Sequence, residues 1–273
     1  MDPGSPVIRL AVFGKPVTRS LSPRIHQDFA RQFGLQVEYR AIEATPQSFP
    51  GRVQELKASG GRGFNVTVPL KHAAWLLADS RSESATRARA ANTLVFDGDL
   101  YADNTDGQGL VDDLSRRPGA RIEGSRICLL GAGGAAAGIL GALLRAQPAR
   151  VVIANRTPGK ARDLAERHSE LGALQCCALE EIAAHGPFDL LVNATSQGHH
   201  GQAPAVSRKW FERGGLCYDL NYGPAAMPLR RICGTEGIAY VDGLGMLVGQ
   251  AALSFALWTG KLPDVEPVLA ALG

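Results

Sequence analysis

The 273-residue sequence lacks any long run of lysine and arginine, and its formal net charge of +3 is small. It therefore carries no electrostatic footprint for nucleic acid. No C-x-x-C spacing occurs among the five cysteines, Cys128, Cys176, Cys177, Cys217 and Cys233, and the adjacent pair makes a poor disulfide. Buried thiols are the expectation. No His/Cys/acid cluster has metal-ligand spacing, so no metal is expected; His199-His200 lies between Gly198 and Gly201 with no third ligand nearby and reads as a turn. The two long uncharged stretches, Ile127 to Leu144 and Gly243 to Gly260, are interrupted by glycines, and the second carries Gln250, Ser254 and Thr259. Both fit buried segments of an α/β core better than membrane spans. The start, Met1 to Pro6, shows neither a basic nor an apolar leader region, and a cytoplasmic location is expected. No internal repeat or low-complexity tract is present.

What is present is ordinary for a globular protein, with 45% hydrophobic and 20% charged residues in a length suited to one large or two moderate domains. The most informative unit lies in the middle. The apolar run Ile127 to Leu130 leads into Gly131-Ala132-Gly133-Gly134-Ala135-Ala136, followed by helix-compatible spacing over Gly138 to Arg145. In a strand–turn–helix context, Gly131 permits the tight turn, Gly133 lets the backbone approach a pyrophosphate, and Ala136 allows close helix–sheet packing. The phosphates would rest on amides at the positive helix end. The second strand, Val151 to Ala154, ends in Asn155-Arg156-Thr157 and not in an acid. A carboxylate there would accept the 2′-hydroxyl of NAD, whereas an arginine meets the 2′-phosphate of NADP.

About 100 residues precede this unit, enough for a further domain. Strands are expected at Ile8 to Phe13, Val37 to Ile42 and Gly63 to Val68, with helices at Ser22 to Phe33, Phe49 to Ala58 and Lys71 to Ala78. The alternation argues for a mainly parallel sheet. Asn92 to Phe96 and Leu100 to Ala102 read as a hairpin through Asp97-Gly98-Asp99. Gly107 to Arg117 forms a helical bridge. A helix at Lys160 to His168 and strands around Asp189 to Asn193, Leu216 to Leu220 and Ile238 to Val241 follow. The helical tail from Met246 to Trp258 has no strand left to serve and is expected to return to the first domain.

Within Gly63 to Lys71, the strand period places Asn65 and Thr67 on one face and Val66 and Val68 on the other, sealing the core, with Pro69 ending the strand. Ser22 before Pro23 fits a helix N-cap, which leaves Ser20 unexplained. Asn104-Thr105-Asp106-Gly107 is a turn, or Asp106 caps the bridging helix. Gln250, in an otherwise apolar helix, requires partners for its amide.

These motifs together resemble the shikimate dehydrogenase family over essentially the whole chain. The resemblance rests on Ser20-Leu21-Ser22-Pro23, Asn65 to Lys71, Ala91-Asn92-Thr93, Asn104-Thr105-Asp106-Gly107, Gly131 to Ala136, Asn155-Arg156-Thr157, Asn193-Ala194-Thr195-Ser196 and Asp242 to Leu247. It implies an α/β protein with a substrate-binding and catalytic domain at 1–106, a Rossmann NADP-binding domain at 107–242, and a C-terminal helical segment at 243–273 packing back on the first. The implied reaction is NADPH-dependent reduction of 3-dehydroshikimate to shikimate in aromatic amino-acid biosynthesis, by a monomer or homodimer.

By the same resemblance, Lys71 and Asp106 are the catalytic pair. Ser20 and Ser22 hold the substrate carboxylate with Tyr222 close by, and Asn65, Thr67, Asn92 and Gln250 bind the ring hydroxyls. The nicotinamide lies near Leu220, Gly243 and Met246, and Ala194 and Thr195 line the cofactor. Asn155, Arg156, Thr157 and Lys160 take the 2′-phosphate; Lys160 stands where the family often has arginine. Hydride delivery to a carbonyl leaves charge on oxygen, which a positioned ammonium stabilises and protonates. The competing readings are a quinate/shikimate dehydrogenase, a methylene-tetrahydrofolate dehydrogenase-like enzyme, for which the serine and Asn-Thr-Asp-Gly motifs are unsuited, and an NADP-binding sensor without turnover.

Overall fold

A computed structural model describes residues 6–273, so most of the leading segment read above lies outside it. The described chain divides into two compact units, one holding the residues up to Gly109 together with Val248–Gly273, the other Leu110–Leu247.

The first unit alternates β1 (Ile8–Gly14), α1 (Ser22–Gln32), β2 (Val37–Glu43), α2 (Phe49–Ala58), β3 (Gly61–Val66), α3 (Lys71–Leu77), β4 (Ser80–Arg81), α4 (Glu83–Ala88), and the hairpin β5 (Thr93–Asp97) and β6 (Asp99–Asp103). Its sheet runs β2-β1-β3-β5-β6-β4. Pairings of β1 with β2 and β3, and of β4 with β6, are parallel; those of β5 with β3 and β6 are antiparallel. Successive residues of β1 feed opposite faces, as strand pleating requires. Ala11 and Phe13 join a core with Phe49, Phe64 and Val66, while Leu10 and Val12 join Tyr39, Val95 and Trp258 on the other side. The Phe13, Phe49 and Phe64 rings meet edge to face at centroid distances of 5.2–6.1 Å.

The strand at Gly63 to Val68 corrects one expectation. β3 stops at Val66, because the Thr67 carbonyl accepts from the Leu70 N–H at 2.9 Å and the chain turns where the ladder would have continued. Val68 consequently stands 57% exposed and does not seal the core.

The helix α5 (Asp106–Ser115) runs past the first boundary, and the second unit continues with β7 (Arg126–Leu130), α6 (Gly134–Arg145), β8 (Arg150–Ala154), α7 (Pro158–Glu166), β9 (Leu174–Cys177), α8 (Ile182–His185), β10 (Phe188–Asn193), β11 (Phe211–Asp219), α9 (Met227–Glu236) and β12 (Ala239–Val241). All pairings in its sheet are parallel, in the order β12-β11-β10-β7-β8-β9. This is the doubly wound order of dinucleotide-binding folds, with the reversal between β7 and β10. Burial on both faces explains why Ile127 to Leu130 and Val151 to Ala154 read as unbroken apolar runs.

Helix α10 (Leu244–Thr259) crosses the second boundary, and α11 (Glu266–Leu272) closes the chain. Gly243–Leu247 therefore belong to the second unit, while the rest of α10 packs in the first, where Trp258 Nε1 donates to the Leu94 carbonyl at 2.9 Å. Among the described residues, no helix is long and apolar enough to cross a membrane. The five cysteines are free thiols, Cys176 half-buried and the others buried.

Candidate active site

In the first unit Lys71, Asp106, Asn92, Gln250 and Asn65 converge on one buried polar network, to which Thr67 and the Ser20–Ser22 pair make no direct side-chain hydrogen bond. Lys71, the first residue of α3, forms an ion pair with Asp106 Oδ2 at the start of α5; their side chains are 15% and 6% exposed. The other carboxylate oxygen of Asp106 accepts from Asn92 Nδ2 at 2.9 Å. Asn92 Nδ2 also faces Gln250 Oε1 at 2.9 Å and Thr105 Oγ1 at 2.8 Å, while Asn92 Oδ1 accepts from the Thr105 N–H. The buried amide of Gln250 thus has a partner. Asn104 Oδ1 accepts from the Asp106 N–H at 3.2 Å, so the turn preceding α5 is held by Asn104, while the Asp106 carboxylate faces Lys71 and Asn92.

Asn65 alternates with Phe64 and Val66 along β3 and so faces the side that holds Tyr39 and α10. Its Nδ2 donates toward the Asn92 carbonyl, Thr93 Oγ1 and Ser254 Oγ at 3.0–3.1 Å, and its Oδ1 accepts from the Tyr39 hydroxyl at 2.7 Å. Thr67 lies in the turn after β3, partly exposed, with its N–H on the Phe13 carbonyl. Ser22 is not an N-cap: it begins α1 as its first helical residue, and its N–H is accepted by Ser20 Oγ at 3.2 Å. The two serine hydroxyls also meet, at 3.1 Å. Ser20, the residue that local capping logic left over, is the one that satisfies the helix start.

In the second unit, backbone bonds tie together the turns that follow the strands. The Gly131 N–H donates to the Ala154 carbonyl, Ala194 to Leu130, Leu220 to Asn193, and Gly243 to Asn221, all at 2.8–2.9 Å. Gly131 has φ +105°, a region disfavoured for residues with a side chain. At Gly243 a Cβ would come within 2.4 Å of the Leu220 carbonyl oxygen. Gly133 precedes α6 with no side-chain cap, and a Cβ built on it would enter open space. A helix start leaves its first-turn amides without intrahelical partners, and together with the open Gly133 edge this turn suits a pyrophosphate. Ala132, Gly134 and Ala135 line the same turn with partial or full exposure, and Ala136 is buried under the sheet.

Asn155 Nδ2 donates to the Thr157 carbonyl at 2.8 Å, shaping the end of β8. Arg156, Thr157 and Lys160 are exposed, and among the described residues the Arg156 and Lys160 side chains have no ion-pair partner. This is a donor set suited to a 2′-phosphate. Thr195 Oγ1 and N–H both donate to Asn193 Oδ1, at 2.8 and 3.1 Å. Met246 is buried, and Tyr222 is partly exposed with burial raising its phenol pKa. His199 and His200 sit in a short 3-10 turn, Gln197–His200, both exposed.

Sequence reasoning missed the carboxylate beneath these turns. Asp219, fully buried at the end of β11, accepts from Asn193 Nδ2, Asn221 N–H and Nδ2, and Tyr240 OH at 2.8–3.1 Å; burial raises its pKa. An acid interrupting an apolar strand was the available signal. It missed Ser254 as well, which lies one turn beyond Gln250 on the same helix face and carries the same kind of signal.

The folds and the two sites define a two-unit α/β protein of the dinucleotide-dependent oxidoreductase type. Residues 12–94 match the shikimate dehydrogenase substrate binding domain, residues 113–214 the shikimate/quinate 5-dehydrogenase family, and residues 243–272 the shikimate 5′-dehydrogenase C-terminal domain. The chain is 45% identical over 266 residues to a shikimate dehydrogenase (NADP(+)) of Alkalilimnicola ehrlichii, covering 97% of this chain and 98% of that one. A relative of the same name from Methylococcus capsulatus is 46% identical over 268 residues, 97% of this chain and 95% of that one. The structure of shikimate 5-dehydrogenase from Thermus thermophilus in complex with NADP(H) and shikimate superimposes with a TM-score of 0.85 at 36% identity, over 97% of this chain and 98% of that chain. The chain belongs to the shikimate dehydrogenase family.

Proposed function

We propose that this protein catalyses the reversible, NADPH-dependent reduction of 3-dehydroshikimate to shikimate, in the cytoplasm, as a monomer or homodimer. The observation that carries the reading is the Lys71–Asp106 pair held by Asn92 inside the first unit, where buried partners fix a cation and a carboxylate at one spot. NADP(H), when bound, supplies or receives the hydride. Lys71 donates a hydrogen bond and then its Nζ proton to the carbonyl oxygen as charge develops there, and Asp106 orients and charge-balances the ammonium. In the oxidising direction the pair takes that proton back. Ser20 and Ser22 offer hydroxyls to the substrate carboxylate, Tyr222 is assigned to the same carboxylate by the family resemblance, and Asn65, Thr67, Asn92 and Gln250 recognise the ring hydroxyls.

On the cofactor side, the turn Gly131 to Ala136 would hold the pyrophosphate. Asn155, Arg156, Thr157 and Lys160 would hold the 2′-phosphate, and Ala194, Thr195, Leu220, Gly243 and Met246 the nicotinamide half. Assigning substrate binding to the region 1–106, nucleotide binding to 107–242 and a return to the first region for 243–273 follows the same division of labour. Initial rates with shikimate and quinate, each with NADP+ and NAD+, test the reading. Shikimate with NADP+ is expected to be turned over fastest. Preference for quinate with NAD+, or nucleotide binding without turnover, would replace it.

A further inference from the structure

Tyr39 is almost wholly enclosed in the first unit, and its hydroxyl donates to Asn65 Oδ1 at 2.7 Å. The Asn65 amide is otherwise committed. Its two N–H groups are shared among the Asn92 carbonyl, Thr93 Oγ1 and Ser254 Oγ, all within 3.1 Å. Turning the amide over would set its oxygen against the Asn92 carbonyl, two acceptors with no proton between them. One capacity is left on Asn65, the second lone pair of Oδ1; the nearby His26 ring interacts with this amide, but neither of its nitrogens reaches hydrogen-bond geometry with any partner among the described residues. Burial pushes the Tyr39 phenol pKa up, which keeps the hydroxyl protonated and donating. The ring is fixed in turn: His26 lies flat on it, centroids 4.5 Å apart and planes 8° apart, and Trp258 leans on it at 6.4 Å. The Tyr39 hydroxyl also meets the Ser22 side chain, whose oxygen accepts from Ser20. Tyr39 thus touches both the serine pair and Asn65, although no motif singled out above includes it.

We propose that Tyr39 is a positioning residue that sets substrate specificity by locking Asn65 as an acceptor only, so that the substrate group meeting Asn65 must be a hydroxyl that donates. An ether or carbonyl at that ring position would face an oxygen with no proton to offer, and a hydrogen there would leave the lone pair unmet. This rests on the reading of Asn65 as a substrate contact.

The proposal is tested by steady-state kinetics of wild type, Tyr39→Phe, Asn65→Ala and the double variant, with shikimate and with its three mono-O-methyl ethers. Tyr39→Phe keeps the ring on His26 and removes only the donor. It is expected to raise KM for shikimate about five- to tenfold, leave KM for NADP+ unchanged, narrow the discrimination against one of the three ethers, and add no penalty in the Asn65→Ala background. Should Tyr39→Phe melt earlier than wild type, the cycle is read well below that temperature and the coupling still decides. An unchanged KM for shikimate, an equal rise for NADP+, or a full Tyr39→Phe penalty without Asn65 would overturn the proposal. Absence of shikimate turnover by the wild type would instead sink the reading of the activity on which it rests.

Discussion

The two units prepare their sites in opposite ways. In the first, Asn65, Asn92, Asp106 and Gln250 are at most 8% exposed, and each has side-chain partners within the protein. In the second, Gly133, Arg156, Thr157 and Lys160 are exposed, and their polar groups face outward. Burial among fixed partners sets direction as well as position, because the amide donors of Asn65 and Asn92 are already matched to acceptors. An exposed donor set grips a charged group without committing to one geometry. The first arrangement suits discrimination among hydroxyls on a small ring, and the second suits a flexible dinucleotide held chiefly by its phosphates.

The largest expected effect lies on the committed side. Asp106→Asn removes the counter-charge of Lys71 while keeping the shape, and kcat for shikimate oxidation should fall by about 10²-fold or more, within the range for a positioned acid–base group. An effect confined to KM would show that the pair binds and does not act in the chemical step. On the open side, Arg156→Asp should weaken NADP+ by about 10- to 100-fold, the worth of a charge-assisted contact, while leaving NAD+ nearly unchanged. Equal losses for both nucleotides would show that Arg156 does not read the phosphate.

Stability offers two further probes. Asn92→Leu leaves the Asp106 and Gln250 oxygens short of a donor and should cost about 1–3 kcal/mol, read from denaturant midpoints. His26 is fully buried, and burial holds its pKa down to about 3 from 6.5. A histidine whose folded pKa is depressed makes the unfolded chain bind more protons between those values, so stability is lost as pH falls from 6.5 toward 3. At about pH 5 the loss is about 2 kcal/mol. His26→Phe should flatten that slope; an identical pH dependence in the variant would place the acid sensitivity elsewhere.

Much of this was readable in the residues. The strand–glycine turn–helix at Ile127 to Arg145 carries its own local signals, so the nucleotide unit and the arginine after its second strand stood out. Gln250 announced a need for partners because a buried amide in an apolar helix cannot be left alone, and Asn65 took its face from strand periodicity. What stayed hidden depended on contacts distant in sequence. Tyr39 in a strand reads as ordinary core, and nothing near it points to Asn65. Ser22-Pro23 imitates a cap so well that Ser20, which accepts the Ser22 N–H, had no local explanation. The strand Leu174–Cys177 and the helix Glu83–Ala88 are too short to show a period, and the helix start depends on the Ser82 side chain accepting from Ala85. The sequence position of Pro69 suggested where β3 ends, but the turn begins earlier, at Thr67.

The most direct test of the account is the rate of hydride transfer in Lys71→Ala, measured by rapid mixing with shikimate and NADP+ both saturating. If the ammonium acts where charge develops on oxygen, the rate falls by about 10²- to 10⁴-fold while KM for shikimate changes only a few-fold. A transfer rate equal to wild type would contradict the assignment of Lys71, and with it the claim that the buried network exists to place that proton.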